Sequence, residues 1–161
     1  MKEQFFIDPI IEANKHGIEV RPIPLKETKI GNIAKKLVPE EEVCGYIERQ
    51  PNGKVFIYYN PQHHPNRQRF TIAHELAHYL LGHLDENNKQ YRDTAKNFKT
   101  SVYDPKEVQA NKLAAEILMP ENILEYLIYK KGITSIKELA KIMQVSEVAM
   151  QYRLKNLGWI S

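Results

Sequence analysis

The sequence predicts an α+β fold: a small β-hairpin or sheet packed on a helical core, closed by a C-terminal three-helix segment. Three observations predict it. Two β-rich runs, 43–48 and 55–59, flank Asn52-Gly53, a strong hairpin-turn signal. The segment from Phe70 to Leu84 is mostly apolar with helical spacing. Strand-like runs precede helical ones and do not alternate with them, which argues against a doubly wound parallel sheet. The chain's 161 residues suit one compact domain or a domain with a small appendage. With 42% hydrophobic and 27% charged residues it has enough apolar surface to fold, so wholesale disorder is excluded.

The elements follow in order. Asp8-Pro9 reads as an N-cap followed by proline at the first helical position, opening a helix from Ile10 to Lys15 or His16 that stops at Gly17. Ile18 to Leu25 reads as extended, and Pro22 and Pro24 restrict it to a sheet edge. Ile30 to Leu37 is expected to form a short helix ending before Pro39, and Glu40-Glu41-Glu42 a solvated turn. The hairpin comes next and ends at Asn60-Pro61. After the Phe70–Leu84 helix, 85–100 is polar without a clear period and is expected to be a loop or weak helix. Asp104-Pro105 repeats the cap-plus-proline signal and opens a helix that ends before Pro120. Three shorter helices are expected at about 121–131, 135–143 and 146–157. The expected division is a core over 1–120 and a helical subdomain over 121–161 packed on it.

Composition excludes several classes of function. The single cysteine, Cys44, rules out an intrachain disulfide framework and any cysteine-only zinc knuckle, and suits a reducing cytosol. The net charge of +3 is too small to imply nucleic acid as the main partner. Phe5-Phe6-Ile7 is too short for a signal-peptide core, and no run approaches the roughly 20 apolar residues of a membrane span. The expected location is the cytoplasm, away from membranes.

His74-Glu75-Leu76-Ala77-His78 is an H-E-x-x-H sequence. On a helix, residues i and i+4 are about 40° apart, so both imidazoles leave one face one turn apart. Two neutral imidazoles at that spacing can occupy adjacent corners of a tetrahedral metal site. Glu75 lies about 60° from His78 and can reach a water there without being a ligand. The flanks, including Phe70, Ile72, Ala73 and Leu80, are apolar, and polar groups on a buried helix are costly unless paired. A metal site is therefore favoured over a pair of core histidines.

A catalytic zinc usually has three protein ligands. The longer H-E-x-x-H-x-x-G-x-x-H pattern is absent, because Leu81 and Leu84 stand where it needs glycine and histidine. On a continuing helix His83 would point about 140° away from His78, so it is expected at the surface or helix end. His63 and His64 are expected to be a solvated loop pair. The remaining candidates are Glu107 and Glu116. Glu107 shares a helix face with Ala110, Asn111, Ala114 and Leu118, whose alanines permit close helix approach, and Glu116 lies on the opposite face. Spacing alone leaves Glu107 divided between a ligand and a capping-box glutamate behind Asp104.

Arg69-Phe70-Thr71-Ile72-Ala73-His74-Glu75-Leu76-Ala77-His78 resembles the R-F-T-x-A-H-E-L-G-H signature of the ImmA/IrrE metallopeptidase family. Glu107 to Pro120 resembles its second signature, E-x-x-A-N-x-F-A-A-x-L-L-M-P, and the hairpin ending Tyr59-Asn60-Pro61 matches a family strand that ends in asparagine. The resemblance covers roughly 43–157. Ala77, Leu113 and Ile117 depart from the signatures but remain small or apolar. The resemblance implies a zincin-like core, with His74, His78 and Glu107 as metal ligands and Glu75 as general base. It also implies a site-specific protease that cleaves a helix-turn-helix repressor, relieving repression of a mobile element or a DNA-damage response. The length resembles compact ImmA-like members, without room for the C-terminal sensor domain of IrrE-like ones.

Ser135 to Leu154 reads like a helix-turn-helix, with Ser146 capping the second helix. DNA binding through 146–157 is one reading. Packing or partner docking is the stronger one, because residues 134–161 carry few cations.

The expected function is thus a metal-dependent endopeptidase using Zn²⁺, or Mn²⁺, since two imidazoles and a carboxylate do not fix the metal. Tyr58, Tyr59, Tyr103 and His64 are candidates for stabilising the developing oxyanion, and 85–103 for contacting the substrate. Two alternatives are a DNA-binding regulator with a structural metal and a toxin–antitoxin or phage-type binding module.

Overall fold

The structure is a computed structural model describing residues 4–24, 26–30, 33–37, 43–84, 90–94 and 104–161. It is α+β. Helix α1 (Pro9–Lys15) opens as its sequence demands: the Asp8 carboxylate accepts from the Ile10 N–H at 2.9 Å and Pro9 occupies the first turn. Gly17, at φ +74°, turns the chain into β1 (Glu19–Pro22). Strands β4 (Val43–Arg49) and β5 (Val55–Tyr59) form the expected antiparallel hairpin. β1 pairs parallel with β5 and sits at the edge of a four-stranded sheet of order β1-β5-β4-β6.

Two expectations fail in this half. The segment 30–37 is not a helix: β2 (Lys26–Ile30) and β3 (Ile33–Leu37) form a separate antiparallel pair, with Ile30 opposite Ile33. The β-branched residues at its inner end and the Gly31-Asn32 sequence between the strands favour a two-residue hairpin. The stretch 85–100 holds a strand, β6 (Gln90–Thr94), antiparallel to β4. That pairing is long-range and leaves no local period. The Glu40–Glu42 turn lies outside the described residues.

Helix α2 (Pro65–Leu80) begins before Phe70, at another cap-plus-proline signal: His64 Nδ1 accepts from the Asn66 N–H at 3.0 Å and Pro65 follows. Helix α3 (Pro105–Leu118) is capped by Asp104, which accepts from the Lys106 N–H at 3.0 Å. Helix α4 (Glu121–Glu125) continues into a π-helical turn, Tyr126–Lys130. Helices α5 (Ile136–Met143) and α6 (Glu147–Asn156) start at the serine caps Ser135 and Ser146 and are joined through Gln144, at φ +55°. Among the described residues, no helix is long and apolar enough to cross a membrane.

Two apolar clusters meet across α2. Ile72 and Leu76 face α1 and the sheet, packing with Ala13, Ile18, Ile47 and Ile57. Ala73 faces the helices, packing with Ala114, Leu118, Leu139, Met143 and Met150. A helix covered on both flanks is buried all round, and every residue of α2 from Thr71 to His78 is buried. β4 comes close enough to α2 that position 45 must be glycine: a Cβ there would stand 2.5 Å from Thr71 Cγ2 and 2.5 Å from the Tyr58 carbonyl oxygen. Asn60, 2% exposed, fixes the way into α2. Its Nδ2 donates to Val43 O at 3.1 Å and its Oδ1 accepts from the Gln62 N–H at 2.9 Å.

Candidate metal centre

Helix α2 places His74 and His78 one turn apart on the flank facing α3, and α3 places Glu107 in its first turn opposite them. The small buried residues Ala110 and Ala114, both 0% exposed, let the helices approach. His74 Nε2 lies 3.1 Å from Glu107 Oε2, and His78 Nε2 lies 3.2 Å from Glu107 Oε1. The two Nε2 atoms are 3.0 Å apart, with the rings nearly perpendicular at 88°. One ligand atom from each of the three residues falls within 4.8 Å of the others, and all three residues are buried.

Electrostatics sets the protonation of this cluster. Burial holds the His78 imidazole down to about 4, and the nearby His74 adds to this, against an opposing pull from Glu107. Burial alone would raise the Glu107 carboxyl, but the two imidazoles outweigh it and hold the carboxyl well below the usual carboxylate range. A carboxylate thus faces the His78 imidazole, which burial holds toward neutrality. Neither Glu107 oxygen accepts an aligned hydrogen bond among the described residues, although both are within ion-pair distance of a ring nitrogen. Buried acceptors converging on one point without aligned donors fit a cation. Nitrogen, nitrogen and oxygen donors suit Zn²⁺ and also accept Mn²⁺. Glu75, next to His74, is 0% exposed, and both its oxygens lack a hydrogen-bond donor among the described residues.

The structure therefore brings together His74, His78 and Glu107, with Glu75 adjacent. Glu107 faces the imidazoles from the third helical position, where a capping-box role was the alternative. Of the other candidates, the Tyr58 ring stacks on Tyr46 at 4.5 Å, Tyr59 packs against the apolar cluster beneath the sheet, and His64 caps α2 and lines a groove beside the metal-ligand cluster. Tyr103 lies outside the described residues, as does most of 85–103.

One expectation holds only in part. His83 sits at the helix end, but it does not point away into solvent: it is 8% exposed, and its Nδ1 lies 2.8 Å from His78 Nδ1. The helix does not continue to position 83. It ends at Leu80, and Gly82, at φ +77°, reverses the chain. The Gly82 N–H donates to Tyr79 O at 3.1 Å and the His83 N–H to His78 O at 2.9 Å, the two bonds of a Schellman motif. His83 Nε2 in turn lies 3.3 Å from Gln109 Oε1 on α3. Sequence reasoning missed both residues. The signal for His83 was the glycine just before it, which ends a helix where a continuing one was assumed.

Beside the cluster, a groove of about 710 Å³ runs between the start of α2, α3 and α6, lined among others by Arg67, Phe70, Asn111, Val148 and Tyr152. Phe70 stacks on the His74 ring at 6.2 Å, and Asn111 lies one turn beyond Glu107, so the groove adjoins the cluster. Val148 is 76% and Tyr152 41% exposed on α6. Arg153, one of the two cations that helix offers to DNA, is only 7% exposed and donates from Nε to Met119 O at 3.0 Å.

The sequence profile of the IrrE N-terminal-like domain matches residues 13–155. The radiation response metalloprotease IrrE of Deinococcus deserti is 33% identical over 115 residues, covering 65% of this chain and 40% of the relative. IrrE of Deinococcus radiodurans is 34% identical over 100 residues, covering 61% and 30%. The metallopeptidase ImmA of Bacillus subtilis is 32% identical over 108 residues, covering 66% and 58%. The chain thus spans between 30% and 58% of the length of these relatives. A solved Mycobacterium tuberculosis transcriptional regulator shares the fold, with a TM-score of 0.54 at 15% identity over 90% of this chain and 39% of the regulator.

Proposed function

The chain belongs to the family of the IrrE N-terminal-like domain, and on that premise we propose that it is a metal-dependent endopeptidase acting on a partner protein. The observation that carries the reading is the convergence of His74, His78 and Glu107 within 4.8 Å, with the buried Glu75 next to His74 in the chain. On this reading the three residues would hold Zn²⁺, or Mn²⁺, in a zincin-like core. When bound, the ion supplies Lewis acidity toward the scissile carbonyl. Glu75 carries the proton: its carboxylate accepts one from the attacking water and delivers it to the leaving amine nitrogen. Burial keeps bulk water from competing for that carboxylate. His78, held toward neutrality by burial, keeps its lone pair for the ion, His74 offers the second nitrogen, and Glu107 contributes the negative charge.

The groove supports a polypeptide substrate. It is mostly apolar and adjoins the cluster through Phe70 and Asn111. The substrate we propose is a helix-turn-helix transcriptional repressor whose cleavage relieves repression, as the family resemblance implies. In the helix-turn-helix-like segment, α6 and the turn before it serve as a wall of the groove and not as a DNA reader, because Arg153 is committed to the Met119 carbonyl.

The test incubates the purified protein with Zn²⁺ or Mn²⁺ and a helix-turn-helix repressor from the same genome, chosen from the neighbouring genes. Wild type cleaves and Glu75→Gln does not. Equal survival of the repressor with both proteins under every metal condition overturns this partner as substrate.

A further inference from the structure

We propose that His83 and Gln109 form a hydrogen-bond relay that locks His78 in the tautomer presenting its Nε2 lone pair to the metal; this rests on the reading of His78 as a ligand. The argument starts at Gln109. An amide oxygen accepts and cannot donate, so Gln109 Oε1, 3.3 Å from His83 Nε2, takes a proton from that nitrogen. A neutral imidazole protonated at Nε2 has its lone pair at Nδ1. His83 Nδ1 lies 2.8 Å from His78 Nδ1, so His78 must be the donor there. His78 then carries its proton on Nδ1 and its lone pair on Nε2, the atom that faces Glu107 and His74. Each proton position is set by the one before, and the relay begins on the helix that bears Glu107.

The backbone explains how His83 gets there. In a Schellman motif the second residue past the helix comes back over the third residue from its end, and an apolar contact often joins the two. Here those residues are His83 and His78, and the contact is imidazole to imidazole. Partners of this kind fix the orientation of ligating histidines and raise their basicity. His83 is thus a positioning residue acting through His78.

The test measures zinc affinity of the full chain by competition with a chromophoric chelator, together with thermal unfolding of the metal-free protein. His83→Phe removes the acceptor, and zinc binding weakens about 10–100-fold. His83→Asn puts an amide oxygen where Nδ1 stands and recovers most of the affinity. Gln109 is exposed, so Gln109→Leu leaves metal-free stability unchanged while weakening zinc binding several-fold. Wild-type affinity in His83→Phe overturns the relay, and so does a His83→Asn variant as weak as His83→Phe, which would make packing the cause. If His83→Phe does not fold, unchanged affinity in Gln109→Leu overturns it. If wild type binds zinc no better than His74→Ala, the metal reading itself fails and the relay falls with it.

Discussion

Gly45 and Thr71 touch where the sheet meets the histidine helix, at a separation that admits no side chain on residue 45. A Cβ there would lie 2.5 Å from Thr71 Cγ2 and equally close to the Tyr58 carbonyl oxygen. The carbonyl is backbone and Thr71 is fully buried, so neither can yield cheaply. Gly45→Ala is expected to cost about 1–3 kcal/mol. Thermal unfolding checks this. A Tm equal to wild type would show that β4 and α2 can separate freely.

Glu75→Gln removes the proton carrier and no ligand. Proteolysis is expected to fall by on the order of 10²–10⁴-fold with zinc affinity unchanged. Single-turnover cleavage and chelator competition, run on one preparation, separate the two. Loss of zinc together with activity would make Glu75 a ligand and contradict its assignment as base.

Glu107→Gln keeps the volume and removes the charge opposite His74 and His78. Loss of a direct ligand should exceed the effect of an outer partner, so zinc affinity is expected to fall by about 100-fold or more. Equilibrium dialysis measures it. Near-wild-type binding would place the third ligand elsewhere.

The metal-free protein is expected to be acid-labile. His78 has an ordinary value of 6.5 and is held at about 4 in the folded chain, so between those values the unfolded chain binds more protons. Stability is intact above about pH 6.5 and falls toward pH 4, by about 1.4 kcal/mol per pH unit from this group. The depressed Glu107 carboxyl acts in the same direction, its contribution being present above its ordinary 4.5 and lost below it. Denaturant unfolding across the range checks the slope. His78→Asn should flatten it, and an unchanged slope in that variant would exclude His78 as its source.

Arg153→Ala removes a buried donor from the end of α3. A loss of about 1.5–3 kcal/mol is expected, the range for a hydrogen bond from a charged group. Salt-dependent binding to duplex DNA should not change. A selective loss of DNA binding at unchanged Tm would return α6 to the major groove.

Much of this was legible in the sequence because the relevant signals are local. Cap-plus-proline pairs mark the starts of α1 and α3, Asn52-Gly53 marks the hairpin, and the spacing of His74, Glu75 and His78 follows from a helical turn. Glu107 was legible in part, since its face could be read from Ala110 and Ala114 but its choice between cap and ligand could not. What was not legible depends on distant partners or on a helix end. β6 exists because β4 pairs with it. The 26–37 hairpin was obscured by helix-compatible lysines and leucine. His83 was misplaced because one assumption, that the helix continues past Leu80, rotated it away from His78. Gln109 had no signal apart from His83.

Ala73 belongs to the same apolar cluster as Leu139, Met143 and Met150, and the next residue in the chain is His74. Ala73 therefore ties the last helices to the turn of α2 that carries the imidazole. Those helices are the foundation on which the histidine helix rests. A chain ending near Pro120 would leave Ala73, Ala114 and Leu118 without their partners in that cluster. The seating of α5 and α6 and the precision of the site are one mechanical problem.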